Sequence, residues 1–576
     1  MPPSSQRSSK VSPPLSNRSG HGKPKRAASS KNVKKPVAAI PEDVEAQAGG
    51  EPSAVITEAP AAATTTVASL PAADSNGLSP QDTQGSAAQP ALAPAAEEVA
   101  ETAPLTAAAT TSEESAASKN VKKTVKPLLS VDPTVAPWEQ QPPLHNRWHP
   151  DIPPVATVDE GEIFRVEMVD WTGGQIGNND SADDVKNVDL TQVHYLSGPI
   201  AVPKAEPGDL LKVEFLNMGP LPGDEWGFTG TFHKDNGGGF LTDHYPQATK
   251  ACWDFEGVYC CSRHIPGVRF PGLIHPGLIG TAPSKELLDM WNAREAALVA
   301  EEGTDKEKTL CSVMATRPLA CLPNPKGAML GKLGHFASME GVEEWDKVAK
   351  EAARTVPGRE NGGNCDIKNL SRGCTVYFPV FVPGANLSMG DMHFSQGDGE
   401  VSFCGAIEMS GYLELKCSVI KGGMKLLPVV GPNALCVNPI FEIGPLEPRF
   451  SEFLVFEGIS VDEKGHQHYL DATLAYKRAV LNCIKYLSQF GYTEEQVYLL
   501  LSACPCEGRL SGIVDVPNAV ATLAVPLAIF NQDVRPKDGA VLEALARGVS
   551  IKKFTPSQAD ESNKSVAPDP KDPRLA

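Results

Sequence analysis

The densest group of ionisable side chains in the chain is Gly390-Asp-Met-His-Phe-Ser-Gln-Gly-Asp-Gly-Glu400. Asp391 and His393 are two apart, so on an extended segment they point to one side. Asp398 and Glu400 repeat that spacing, and the glycines among them allow a sharp turn. A hairpin-like return would bring the two pairs face to face. Two readings follow. One is a solvated surface turn, where Asp-Gly steps are common. The other is a site in which carboxylates and imidazole hold a metal ion or a water molecule.

Three other clusters carry candidate chemistry. In Asn361-Gly-Gly-Asn-Cys-Asp366, Asp366 follows a glycine pair. Cys365 invites a nucleophile reading, but no nearby base would activate its thiol, so activity is expected to survive its loss. The segment Phe232–His244 contains the triplet Gly237-Gly238-Gly239. It reads as backbone approaching a small polar ligand, or as a tight hairpin. Gly267–Gly280 alternates Gly and Pro with apolar residues around His275, a pocket wall or a structural histidine.

These residues need elements to hold them. Apolar or alternating runs predict strands at Ile163–Val169, Leu210–Leu216, Thr375–Val382 and Val401–Val419. In the first, Ile163, Val166 and Met168 interleave with Glu162, Arg165 and Glu167, so one face is expected wet. Thr375–Val382 is apolar nearly throughout, which predicts burial on both faces. Helices are predicted from Ser284, with Leu287, Leu288 and Trp291, near Val342–Arg354, and over Ala472–Gln489 before Gly491. Thr493-Glu-Glu-Gln496 matches a capping box for another. The expected fold class is mainly β with α/β additions, a helical insert at about 284–356 and a C-terminal helical hairpin.

Composition sets outer limits. The 51 prolines and 50 glycines fit a loop-rich or β-rich chain. A net charge of −18 disfavours nucleic-acid partners. No apolar run is long enough for a membrane helix, and no secretory signal is visible. Thirteen scattered cysteines fit free thiols in a cytoplasmic setting. Phosphate-loop, zinc-helix, nucleophile-elbow and C-x₂-C patterns are absent, and Cys504-Pro-Cys506 reads as a packed thiol pair. The first aromatic residue is Trp138, so residues 1–137 are expected to be disordered. Within them Ser30-Lys-Asn-Val-Lys-Lys-Pro-Val37 returns as Ser118-Lys-Asn-Val-Lys-Lys-Thr-Val125. A folded domain is expected over 138–540, then a C-terminal segment and polar tail over 541–576.

The stretch Asn361–Gly411 resembles the acetamidase/formamidase family, in its eukaryotic formamidase branch. Val193–Ile200, Asn236–Pro246 and Ile265–Ser284 carry further matching motifs, and the likeness spans roughly 140–540. It implies a β-sandwich body and an amidohydrolase that converts formamide and water to formate and ammonia. It also implies a homo-oligomer, a trimer or multiple of one, and metal-assisted chemistry with zinc or calcium. Mixed oxygen and nitrogen ligands favour zinc. Carried onto this chain, the likeness names Asp391 and His393 as metal ligands, and Glu400 as general base and acid with Asp366 and Asp398. Gln396 and His244 are expected at the substrate. The alternatives are an acetamidase preferring a longer amide and a non-catalytic scaffold of the same fold.

Overall fold

A computed structural model describes residues 125–300, 322–427, 438–444, 448–513 and 517–536. The expected disorder before residue 125 and the tail at 541–576 lie outside the described residues. The folded body begins earlier than expected. Strand Pro127–Leu129 pairs in parallel with Arg165 and Val166, and Leu129 is buried.

Two sheets face a shared core. The first runs, in spatial order, Pro127–Leu129, Ile163–Met168, Gly411–Ile420, Leu210–Pro220, Thr375–Pro379 and Ile440–Glu442. The second is built around Leu387–His393. That strand pairs with Phe403–Met409 and Leu196–Ala201, and also with His275–Gly280. Phe164, Val166 and Met168 from the first sheet share one apolar cluster with Met389, Met392 and Ile407 from the second. Alternation along each strand puts these side chains inside, as a sandwich requires.

Three strand expectations are corrected. The run Val401–Val419 is two strands, Phe403–Met409 and Gly411–Ile420, which belong to different sheets and part at Ser410. Thr375–Pro379 is not buried on both faces, because Thr375 and Tyr377 are half-buried and the Tyr377 hydroxyl donates to the Glu442 carboxylate at 2.6 Å. In Ile163–Met168 the core face is Phe164, Val166 and Met168, while Ile163 is exposed. The outward Arg165 lies over the Tyr412 ring at 3.6 Å and pairs with Glu167, so that face is covered rather than wet.

The helices follow their caps. Ser284 Oγ accepts from Leu287 N at the start of Lys285–Ala300. Glu343–Glu351 completes the described part of the expected insert. Ala472–Leu487 continues as a short 3₁₀ turn to Gly491, whose φ of 96° suits a glycine. Thr493 and Gln496 form both bonds of the capping box that opens Glu494–Ala503. Cys504 and Cys506 behind that helix are buried free thiols.

Candidate active site

Register assembles the site. His275 lies opposite His393 in one strand pair, and Glu408 lies opposite His393 in the other. Asp391 Oδ1 is 3.3 Å and Glu408 Oε2 is 3.1 Å from His393 Nε2. Asp366 and Glu400 arrive from loops, and with Asp391, Glu408, His194 and Asn364 they form the polar side of a small cavity. Trp171, Val193, Phe232, Val356 and Phe403 form its apolar side. The volume is about 60 Å³. At about 10–15 Å³ for each water-sized sphere, that is room for only a few heavy atoms.

The backbone is strained to build this cavity. Asn364, Asp366, Asp391, Glu400 and Phe403 all have left-handed φ, between 42° and 75°. Asn and Asp tolerate that region, but Glu and Phe do not do so readily. Each such residue costs about 1–3 kcal/mol, and surrounding packing must offset it. Glu400 is held partly by its own carboxylate, which accepts from Gly405 N at 3.1 Å.

Hydrogen bonds set the state of His393. The His275 Nδ1 faces the Leu273 carbonyl at 2.7 Å, so it carries a proton. Gln396 Nε2 donates to the Asp366 carbonyl at 2.7 Å, which turns Gln396 Oε1 toward the histidines. Gln396 Oε1, an acceptor, then faces the two imidazoles, lying 2.8 Å from His275 Nε2 and 3.1 Å from His393 Nδ1. The His393 Nε2 faces Asp391 and Glu408, whose charge favours the imidazolium form.

Four carboxyls surround one imidazole, and burial shapes how they ionise. Burial and then the nearby Asp391 charge push Asp366 up to about 8. Burial and then Asp366 push Glu400 well above the carboxylate range. Burial raises both Asp366 and Glu400, and the Asp366 charge raises Glu400 further, so this pair favours keeping a proton. Burial pushes Glu408 up to about 7. Burial would raise Asp391 too, but the facing His393 and His194 hold it low. Burial would lower His393, yet Glu408 and Asp391 hold it well above its usual value.

The same atoms suit a divalent cation. His393 Nε2 and Glu408 Oε2 are buried, and neither has a hydrogen-bond partner among the described residues. Donor atoms of Asp366, Asp391 and His393 all lie within 4.8 Å of one another, as do those of His393, Glu400 and Glu408. A surplus of carboxyls over cations in a closed site needs protons or a cation to balance it.

The expected residues are only partly brought together. Asp366, Asp391, His393 and Glu400 converge. Gln396 orients His393 and Asp366 instead of lining the cavity. Asp398 turns away, because Lys368 Nζ and Gly508 N hold its carboxylate at 2.9 Å each. Asp398→Ala is expected to leave kcat unchanged and to destabilise the fold by about 1–3 kcal/mol, read by denaturant unfolding. His244 is remote from the cavity, 3.5 Å from Glu463 on another surface. The glycines at 237–239 do not line the cavity either, and Gly239 instead abuts the Tyr498 hydroxyl. Two site residues, Glu408 and His194, are not apparent from spacing. Their signal is a single acid inside the apolar strand Phe403–Met409 and a histidine ahead of Leu196–Ala201.

Cys365 is exposed and does not line the cavity. Partial burial of its sulfur and the neighbouring Asp366 raise its pKa, so the thiol stays protonated. Cys365→Ala is expected to keep more than half of the wild-type kcat. A well-folded but inactive variant would instead point to covalent catalysis.

A family-wide sequence model of the Acetamidase/Formamidase family matches residues 130–532. The chain belongs to that family. The formamidase of Methylophilus methylotrophus is 55% identical over 427 residues, which is 74% of this chain and 99% of that protein. A Schizosaccharomyces pombe relative that also carries a formamidase name is 55% identical over 417 residues, 72% of this chain and 96% of its own. The solved structure of a gamma lactamase from Delftia acidovorans superposes with a TM-score of 0.64 at 51% identity, covering 71% of this chain and 94% of that one. All of the cavity residues fall inside the family match.

Proposed function

We propose that this chain hydrolyses formamide to formate and ammonia in the acid-lined cavity. The observation that carries this reading is the convergence of four carboxyls, with His393 among their donor atoms, on a space of about 60 Å³. Formamide has three heavy atoms and fills such a space. The likeness to a formamidase along nearly its whole length supports the same substrate.

Asp391, His393 and Glu408, with Asp366 beside them, would hold a divalent ion, and the nitrogen in the donor set favours zinc over calcium. When bound, such an ion supplies Lewis-acid polarisation and a more acidic water. The protein's own groups do the rest. The apolar wall orients the amide and excludes bulk solvent. The Asp366–Glu400 pair accepts the proton of the attacking water and returns it to the departing nitrogen, so ammonia leaves with its charge balanced. Gln396 and His275 hold the His393 ring in place throughout.

Ammonia release from formamide, acetamide and propionamide tests the proposal. The expected order of kcat/KM is formamide first, falling with each added carbon. A maximum at acetamide would make the enzyme an acetamidase, and no release from any short amide would sink the reading. We also place the enzyme in a reducing, cytoplasmic compartment, supported by the ten described cysteines all being free thiols. A homo-oligomer is supported by the exposed apolar side chains Val455, Leu510 and Ile513 near one small sheet. Light scattering of the purified protein checks it.

A further inference from the structure

We propose that His194 donates a hydrogen bond from Nε2 to the amide carbonyl oxygen as it becomes an oxyanion, and that Thr355 is the positioning residue that fixes the required tautomer. The proposal rests on the amide-hydrolysis reading of the cavity.

The hydrogen bonds around one hydroxyl carry it. Thr355 Oγ1 accepts the backbone N–H of His194 at 2.8 Å. The same oxygen lies 3.2 Å from His194 Nδ1. A hydroxyl that has accepted one bond still has its own hydrogen to donate. His194 Nδ1 is the acceptor that the described contacts offer it. The neutral ring assigned from these partners carries its proton on Nε2. The ring lines the cavity, and its Nδ1 edge is turned to Thr355, so the Nε2 edge is left for whatever occupies the space. Trp171 backs the imidazole, with ring centroids 5.3 Å apart, and limits its rotation.

The remaining lining groups give this donor a use. Asp391, the carboxyl held low, presents acceptor oxygens, which repel a carbonyl oxygen gaining negative charge. Asn364 Nδ2 spends one of its two hydrogens on the Val356 carbonyl at 2.7 Å. The Trp171 indole N–H is buried with no partner among the described residues. The His194 N–H is the imidazole donor on this cavity. Burial lowers the His194 pKa against the pull of Asp391, which keeps the ring neutral near pH 7. A neutral imidazole donor stabilises an oxyanion without first donating its proton fully, a role seen elsewhere in enolate chemistry.

The experiment combines kinetics on formamide with ¹⁵N NMR of the His194 ring in the full-length enzyme. Wild type is expected to show one protonated nitrogen, Nε2. His194→Leu should lower kcat by roughly 10²–10³-fold with KM changed by less than about threefold and metal content unchanged. His194→Gln keeps an N–H donor near the Nε2 position and should recover at least tenfold of that loss. Thr355→Val should mix the two ring tautomers and lower kcat, whereas Thr355→Ser should restore both. An Nδ1–H ring in wild type would overturn the proposal, as would His194→Gln performing no better than His194→Leu. If His194→Leu fails to fold, the Gln variant and the NMR pattern still decide. Wild type that releases no ammonia would overturn the functional reading and this role with it, whereas wild type that releases ammonia from an Nδ1–H ring would overturn this role alone.

Discussion

Glu400→Gln is expected to lower kcat on formamide by roughly 10²–10⁴-fold while bound metal stays at the wild-type level. The amide keeps the shape of the side chain and one oxygen, so the bond from Gly405 N to Glu400 Oε1 survives. What disappears is the ionisable carboxyl that takes and returns the proton. Asp391→Ala and His393→Ala should behave differently. Each removes a donor atom from the cluster around His393 Nε2, so activity and metal content should fall together. Chelation should inactivate wild type, and zinc should restore it. Metal stoichiometry measured beside kcat separates the two classes. Equal metal loss in Glu400→Gln and His393→Ala would show that Glu400 is itself a ligand. Full activity in metal-free wild type would end the metal proposal and leave the carboxyl pair as the working chemistry.

Gly277→Ala should be nearly as damaging, although residue 277 bears no functional group. Gly277 lies within the strand His275–Gly280, between the Pro276–Met392 and Leu278–Gly390 pairs, so it falls opposite Asp391. A Cβ there would stand 2.4 Å from His393 Cε1 and 2.6 Å from Asp391 Oδ2. Both neighbours are buried and bonded, so neither can move aside freely. A displacement of about 1 Å at a reacting group can cost about 10²-fold. We expect at least that loss in kcat, with cooperative unfolding preserved because no left-handed φ is involved. Wild-type turnover in folded Gly277→Ala would show that the His393–Asp391 geometry does not limit the reaction.

Some of the site is readable from residue order. Asp391 and His393 share a side because they are two apart on a strand, and they meet at 3.3 Å. The matched pair Asp398 and Glu400 misleads, since the same spacing falls on a turn. There Glu400 takes a left-handed φ and points inward, while Asp398 is drawn out by Lys368. Glu408 is fifteen residues beyond His393, and only antiparallel register sets them opposite each other.

Local chemistry therefore determined the helix starts, the C-terminal helical hairpin, the β-rich body and the acid-rich loop, because caps, alternation and glycine act over a few residues. Those signals stop at the end of each element. Where Val401–Val419 divides between two sheets, which acids join His393, and how Thr355 reaches His194 were decided only by tertiary structure. The reason is physical. Strand register, sheet switching and left-handed turns are stabilised by packing between distant segments, and that packing offsets local strain that the residues alone would avoid.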